Sequence, residues 1–141
     1  MPKSAIVLLM AILFKFCSDT ATSPLGGLTA NTDKSSYTAG EPVAISLQNG
    51  TSKTAYFGHC AYRVGFYVQG KDNTLWKDTS SVAVICLAIY PSGIRPLAAG
   101  EEYRDTLFVQ TPGIYRLRFP FGWEDTNTNQ ESIYSDQFVV E

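Results

Sequence analysis

From residue 28 onward, apolar and polar residues alternate with a period of two, and no segment sustains the 3.6-residue period of a helix. The stretch EPVAISLQNG places Val43, Ile45 and Leu47 on one face and ends in a turn dipeptide, Asn-Gly. The stretch YRVGFYVQG, at residues 62–70, repeats the alternation with Tyr62 as its first inward residue. Because successive side chains of a strand point to opposite faces, this pattern predicts strands with one buried face.

The second half of the chain predicts further strands. Residues 81–90, SVAVICLAIY, are continuously apolar, which predicts a strand covered on both faces. Residues 91–101 predict a loop because their prolines and glycines interrupt strand ladders. Two more strands, 102–110 and 113–121, precede a long polar loop and a last strand at 134–140. Seven or eight strands, with 13% aromatic residues to fill an interior, predict an all-β, two-sheet antiparallel sandwich. A barrel is the alternative.

The first sixteen residues have the composition of an export signal. A positive start is followed by the apolar residues 5–14, and Lys15 ends this run. A helix that spans a bilayer needs about 20 apolar residues, so the sequence predicts a signal peptide at residues 1–16. Residues 17–27 are small, polar and punctuated by glycine and proline, which predicts a flexible tether. We therefore expect one folded domain at residues 28–141.

Charge narrows the class of partner. All 13 acidic residues but only nine of the 11 basic residues lie beyond residue 16, so the exported part carries a net charge of about −4. This balance predicts no nucleic-acid partner, because binding to phosphates relies on clustered lysine and arginine.

The three cysteines are an odd number, and an exported chain in an oxidising compartment normally pairs its thiols. If Cys60 and Cys86 pair inside the domain, Cys17 is left over at the junction between the apolar leader and the tether. The leader resembles bacterial lipoprotein signals, which implies that Cys17 is lipidated and anchors the protein to a membrane. It departs from their usual Leu-small-small pattern at residues 14–16, Phe-Lys-Phe. Cleavage of an ordinary signal within residues 18–24 is the alternative.

Several motifs, in order along residues 28–141, carry a second resemblance. They resemble bacterial immunoglobulin-like sandwich domains of secreted proteins and lipoproteins, and distantly the intracellular proteinase inhibitor fold of bacilli. The motifs are Y.AGEPV.I.L.N at Tyr37–Asn49, Cys60, Trp76, Cys86, PLAAGE at 96–101, PG.YRL at 112–117 and S..F.V at Ser135–Val140.

This second resemblance implies roles for three positions. Tyr115 would send its hydroxyl back to upstream backbone as a tyrosine corner. The cysteines depart from the antibody pattern, because Leu117 stands where the second cysteine would be. The expected disulfide, Cys60–Cys86, therefore joins an earlier strand to the apolar run.

The sequence offers little for catalysis. His59 is the only histidine and no nucleophile motif accompanies it, so we expect no catalytic triad. Adjacent carboxylates such as Glu101 and Glu102 point to opposite faces of a strand and do not form a facing pair. We expect neither an enzyme nor a cofactor, and no metal at His59 because a closed zinc site needs four ligands.

The polar loop at residues 124–132 resembles the first half of a calcium loop. Its oxygen-bearing side chains stand at alternate positions, but the glycine of the sixth position is missing. A polar hairpin loop is the preferred interpretation, and calcium binding stays open.

Two pairs of residues are the candidate binding positions. Phe121 and Trp123, in the stretch FPFGW, are expected to be exposed beside the long loop, although aromatic residues at alternate positions also suit a core. Arg116 and Arg118 share the outer face of one strand, and Arg104 is expected opposite them on its neighbour.

These features together predict an exported, lipid-anchored, non-catalytic binding or adhesion module at the cell surface or in the periplasm of a bacterium. Its expected partner is a protein or a carbohydrate, and the membrane is contacted through Cys17. The alternative is a proteinase inhibitor that uses the loop YPSGIRPLAAG, although Arg95 precedes Pro96 there and is a poor primary site for trypsin-like enzymes.

Overall fold

The computed structural model describes residues 26–141, which form twelve β-strands and, within that range, no helix. The expected signal peptide, Cys17 and most of the expected tether lie outside these residues. The first six strands are β1 (Leu28–Thr32), β2 (Ser36–Tyr37), β3 (Pro42–Asn49), β4 (Ala55–Cys60), β5 (Arg63–Val64) and β6 (Phe66–Asp72). The other six are β7 (Leu75–Val82), β8 (Ser92–Leu97), β9 (Glu102–Phe108), β10 (Gly113–Phe121), β11 (Glu131–Tyr134) and β12 (Phe138–Val140).

The strands form several sheets that pack on one core, as in a β-sandwich. One sheet has the order β1-β3-β9, and a larger one has the order β2-β12-β10-β6-β7 with β11 added to β10. A third, β5-β4-β8, is joined to the larger sheet by the antiparallel bridge between Tyr56 and Gly122. The expected count of seven or eight strands was too low, because two- to four-residue strands such as β2, β5 and β11 are too short to show a period.

The alternation in the sequence places the core. Val43, Ile45 and Leu47 of β3 are buried, as predicted, and they belong to the same core cluster as the buried side chains of β6 and β10. Phe66 and Phe119 pack with ring centroids 4.9 Å apart, while Tyr115 and Phe138 stack at 6.0 Å. The Tyr115 hydroxyl donates to the carbonyl oxygen of Thr111 at 2.9 Å, which is the contact of a tyrosine corner.

Asn49 ends β3 as a buried polar residue, in addition to its expected place before a turn. Its side-chain nitrogen donates to the carbonyl oxygens of Lys53 and Leu97 at 2.7 and 2.8 Å. Its side-chain oxygen accepts from the backbone and the hydroxyl of Thr51 at 3.0 and 2.6 Å. Asn49 therefore joins the end of β3 to the end of β8 and stabilises the turn into β4.

The apolar run was assigned wrongly. Only Ser81 and Val82 extend β7, and residues 83–91 form an exposed connection to β8 that we call the apolar loop. Ala83 has a positive φ of 51°, which ends the extended backbone of β7. Cys86 is bonded to Cys60 at the end of β4, and this disulfide holds the loop against the third sheet. Apolar composition alone does not show whether such a run is covered.

Two neighbouring assignments were also wrong. Residues 92–97, expected in a loop, form β8 and pair with β4 along its whole length despite Gly93 and Pro96. The strands β9 and β10 were expected to be neighbours, but β9 pairs with β3 and β10 pairs with β6. Arg104 consequently lies on a different sheet from Arg116.

We predict that Asn49→Ala lowers the free energy of unfolding by about 2–3 kcal/mol, because the buried carbonyl oxygen of Leu97 and the partly buried one of Lys53 lose their donor. Chemical denaturation measures this change. The matched control is Asn31→Ala on the exposed face of β1, which should change stability by less than about 0.5 kcal/mol. Equal effects of the two substitutions would contradict the role given to Asn49.

Candidate binding site

The outer face of the larger sheet collects aromatic and arginine side chains from four strands. Outward positions of β10 alternate with the buried Tyr115, Leu117 and Phe119, so Arg116 and Arg118 project away from the core. We call this surface the arginine–aromatic face. It comprises Tyr67 and Gln69 of β6, Trp76 and Asp78 of β7, Arg116 and Arg118 of β10, and Tyr134 of β11.

The Arg116 guanidinium lies between two aromatic rings. Its central carbon is 4.5 Å from the centroid of the Trp76 ring and 4.2 Å from that of Tyr134. Its Nε donates to Oε1 of Gln69 at 2.8 Å. Gln69 is itself almost fully buried beneath these side chains. Rings on both sides and a hydrogen bond at Nε therefore hold the group in place.

Arg116 has no carboxylate partner within residues 26–141, and no hydrogen bond is formed there by its two terminal nitrogens. A guanidinium offers donors in a planar fork that matches a carboxylate. The terminal nitrogens of Arg116 therefore have unused capacity for such a group. Lys71, whose ammonium nitrogen lies 5.6 Å from the Trp76 ring centroid, adds positive charge nearby.

Arg118, in contrast, is neutralised inside the face. Its Nη2 donates to Oδ2 of Asp78 at 2.7 Å, and its guanidinium carbon lies 4.1 Å from the Tyr67 ring centroid. The hydrogen bond from Arg118 lowers the pKa of Asp78 from its ordinary value, and the bond to Asp78 raises the pKa of Arg118. Asp78 also accepts from Nε2 of Gln69 at 2.8 Å, which links it to Arg116.

The structure separates the predicted binding residues into two places. Arg116 and Arg118 come together, whereas Phe121 and Trp123 lie near the far end of β10. The expectation that Phe121 is exposed was wrong, because the bridge from Tyr56 to Gly122 keeps the end of β10 over the core. Trp123 is half-buried against that core, 5.1 Å from the Phe121 ring, and its Nε1 donates to Oε1 of Glu131 at 2.9 Å.

Sequence reasoning missed the residues that hold Arg116. Trp76, Tyr134 and Gln69 stand on three different strands, and only the pairing of β10 with β6 and β11 brings them together. Arg116 lies directly opposite Gln69 in the ladder, and Arg118 lies opposite Tyr134. Trp76 is visible in the sequence, but it identifies the site only when the neighbours of its strand are known.

The other positions that were considered show no converging ligands. Nδ1 of His59 lies 2.9 Å from the carbonyl oxygen of Ala61, and the neighbouring Cys60 forms the disulfide with Cys86. Among residues 26–141, no three histidine, cysteine, aspartate or glutamate side chains come together to hold a metal ion. The same part of the chain has no helix long and apolar enough to span a membrane.

Comparisons with known proteins show no match to a protein-family model or to a curated protein. Several solved structures are similar, among them three at low identity. The DNA glycosylase AlkC of Pseudomonas fluorescens, bound to DNA with an abasic site analogue, has a TM-score of 0.43 at 11% identity over 82% of this chain and 31% of its own. The sporulation control protein Spo0M of Bacillus subtilis has a TM-score of 0.43 at 13% identity, and the match covers 82% of this chain and 50% of Spo0M.

The third structure is the ASH or PapD-like domain of human CEP192, with a TM-score of 0.31 at 17% identity over 99% of this chain and 93% of its own. This chain spans about a third of the length of the AlkC chain and about half of the length of Spo0M. Because all three TM-scores are low, these likenesses carry no argument about what this chain binds.

We predict that Arg118→Met raises the pKa of Asp78, since the hydrogen bond that lowers it is lost. The carboxyl carbon shift of Asp78, followed by NMR against pH, measures this. Because the pKa of Asp78 is lower in the folded protein than in the unfolded chain, its carboxylate stabilises the fold at pH values above the ordinary carboxyl pKa. This stabilisation is lost as the pH falls through the lowered pKa. Arg104→Met on β9 serves as the control, and an equal shift with both variants would contradict the assignment.

Proposed function

We propose that this chain is an exported, non-catalytic binding module with an immunoglobulin-like fold, and that Arg116 receives carboxylate groups of a protein or carbohydrate partner. The single observation that carries the proposal is the state of Arg116. Its guanidinium is held between Trp76 and Tyr134, and no carboxylate within the described residues neutralises it. A cation that is held in place loses little side-chain entropy when a ligand binds.

The charge around Arg116 supports this choice of ligand. Asp78 and Arg118 neutralise each other, which leaves Arg116 as the net charge of the arginine–aromatic face, and Lys71 adds a second positive charge beside it. Screening at physiological salt limits the negative charge of the rest of the chain to a range of about 8 Å. An acidic ligand therefore encounters a local positive surface on an acidic protein.

Export and anchoring are part of the same proposal. The apolar leader with its positive start and the polar junction at Cys17 support an exported protein that is lipidated at Cys17 and held at the bacterial cell surface or in the periplasm. A disulfide between Cys60 and Cys86 suits an oxidising compartment. A membrane anchor followed by a tether would present the arginine–aromatic face to ligands outside the cytoplasm.

The proteinase inhibitor is the weaker alternative. Its expected reactive segment forms β8, where Arg95 donates to the carbonyl oxygen of Tyr62 at 3.0 Å and lies 4.8 Å from the Tyr103 ring centroid. A reactive site that enters a protease requires an accessible loop, so these contacts favour the binding module.

We predict that Arg116→Met in the full chain weakens binding of oligogalacturonate or of a poly-glutamate peptide by about 10- to 100-fold, because a charge-assisted hydrogen bond is lost. Titration calorimetry with each probe measures the affinity and shows whether the carboxylate of a sugar or of a peptide is preferred. Binding should also weaken with added salt. Neutral amylose is the uncharged control ligand.

The control variant is Arg104→Met, an exposed arginine on another sheet whose partner is Glu102. It should leave both affinities unchanged. Absence of binding by the unaltered protein to either acidic probe, or equal losses from Arg104→Met and Arg116→Met, would overturn the proposal.

A further inference from the structure

The apolar loop exposes an unusual number of large apolar side chains. Ile85 and Ile89 are 83% and 79% exposed, and Tyr62, in the turn beside the disulfide, is 79% exposed. Tyr62, Ile85, Leu87 and Tyr90 surround one shallow depression of about 370 Å³ next to the disulfide. We call this surface the apolar patch; its members are Tyr62, Val84, Ile85, Leu87, Ile89, Tyr90 and Ile94.

Backbone bonds and the disulfide hold the apolar patch in one shape. Cys60 and Cys86 are bonded, and the backbone nitrogen of Ala61 donates to the carbonyl oxygen of Pro91 at 2.7 Å. The nitrogen of Tyr90 donates to the carbonyl oxygen of Leu87 at 2.9 Å, which closes a turn within the loop. A surface that is already ordered loses little conformational entropy when it is covered.

The area of the apolar patch matches one side of a stable protein interface. With roughly 150–250 Å² for an aromatic side chain and the lower end of that range for an aliphatic one, the seven exposed fractions correspond to a surface on the order of 700 Å². A specific interface buries about 800 Å² on each partner, whereas the largest apolar patch of a typical monomer covers about 300–600 Å². The patch is therefore large enough to support association by itself.

The charge of the patch suits a second copy of the same chain. Between Asp78 and Glu101 the only charged residue is Arg95, whose Nη1 donates to the carbonyl oxygen of Tyr62. Arg63 also lines the depression, and it is paired with Asp105. In a two-fold symmetric dimer each patch meets itself, so a charged patch would bring like charges together. A nearly uncharged patch avoids this repulsion and has no charge with which to select a different partner.

The neighbouring strands favour a pair over an open assembly. The apolar loop connects β7 and β8, each of which has a neighbour on one side only among the described strands. Lys77 and Asp78 on β7, and Pro96 in β8, are residues that discourage continued edge pairing. Association is thereby directed to the apolar patch.

We propose that the apolar patch is the interface of a homodimer, in which the patches of two copies cover each other. The dimer presents two arginine–aromatic faces, so a repetitive ligand can be held by both copies. The dimer itself does not depend on the function proposed for Arg116.

The test places the photo-crosslinking residue benzoylphenylalanine at position 89 of the full chain expressed in living cells. Ultraviolet light should yield a product with twice the mass of the monomer from the same cells, which mass spectrometry identifies as two copies of this chain. The crosslinker at position 75, where β7 begins with a leucine that is 63% exposed, should give no such product.

Light scattering of the purified full chain in detergent, corrected for bound detergent, gives the second measurement. The triple substitution Ile85→Ser, Leu87→Ser and Ile89→Ser should raise the dimer dissociation constant by at least about a hundredfold and leave the melting temperature nearly unchanged. Leu75→Ser with Phe108→Ser is the matched control, because it removes exposed apolar side chains elsewhere. It should keep the dimer.

Three results would overturn the homodimer. The first is a crosslink from position 89 only to lipid or to a different protein. The second is that the unaltered chain is a monomer at about 100 µM and binds lipid vesicles, while the triple substitution abolishes vesicle binding. That result would assign the patch to a lipid surface. The third is a dimer that survives the triple substitution.

Discussion

The two-residue period of β10 is the constraint on which the rest of the structure depends. Tyr115, Leu117 and Phe119 face inward and meet the core, while Arg116 and Arg118 face outward between them. Because β10 pairs with β6 on one side and with β11 and β12 on the other, its backbone cannot shift register without exchanging the two sets. The hydrophobic effect that buries one face of β10 therefore also places the arginines of the other face.

The outer face is stabilised in a different way from the core. Aromatic rings cover the guanidinium groups, and the chain from Arg116 through Gln69 and Asp78 to Arg118 joins three strands. These hydrogen bonds leave the two arginines in different states, since Arg118 is paired with a carboxylate and Arg116 is not. Two residues with the same side chain, two positions apart, are thus suited to different roles.

The apolar loop differs from both faces of β10, because its apolar side chains face solvent. The disulfide between Cys60 and Cys86 fixes the middle of the loop to the end of β4, beside Tyr62. A free loop of this composition would be an aggregation hazard, whereas a fixed one forms a defined surface. The covalent bond therefore determines what the loop can contact.

Features of the fold that depend on local sequence patterns were predictable, and those that depend on contacts between distant residues were not. The strand β3 and the inward residues of β10 as far as Phe119 were predictable because their alternation is local. The apolar loop was not, since the expected disulfide at Cys86 does not report whether the loop is covered, and the extended backbone of β7 ends at the positive φ of Ala83. The strand β8 was missed because its pairing with β4 outweighs the local effect of Gly93 and Pro96. The partners of Arg116 depend on which strands are neighbours, and sequence spacing does not report this.

The NMR signals of the arginine Nε–H groups test the central claim most directly. The account predicts a shielded, slowly exchanging Arg116 signal, because its guanidinium lies between two rings and its Nε donates to Gln69. Addition of trigalacturonate should shift this signal while the signal of Arg118 stays near its position. An Arg116 signal at the position of a solvated arginine, or one that does not respond to the ligand while other arginines do, would contradict the account.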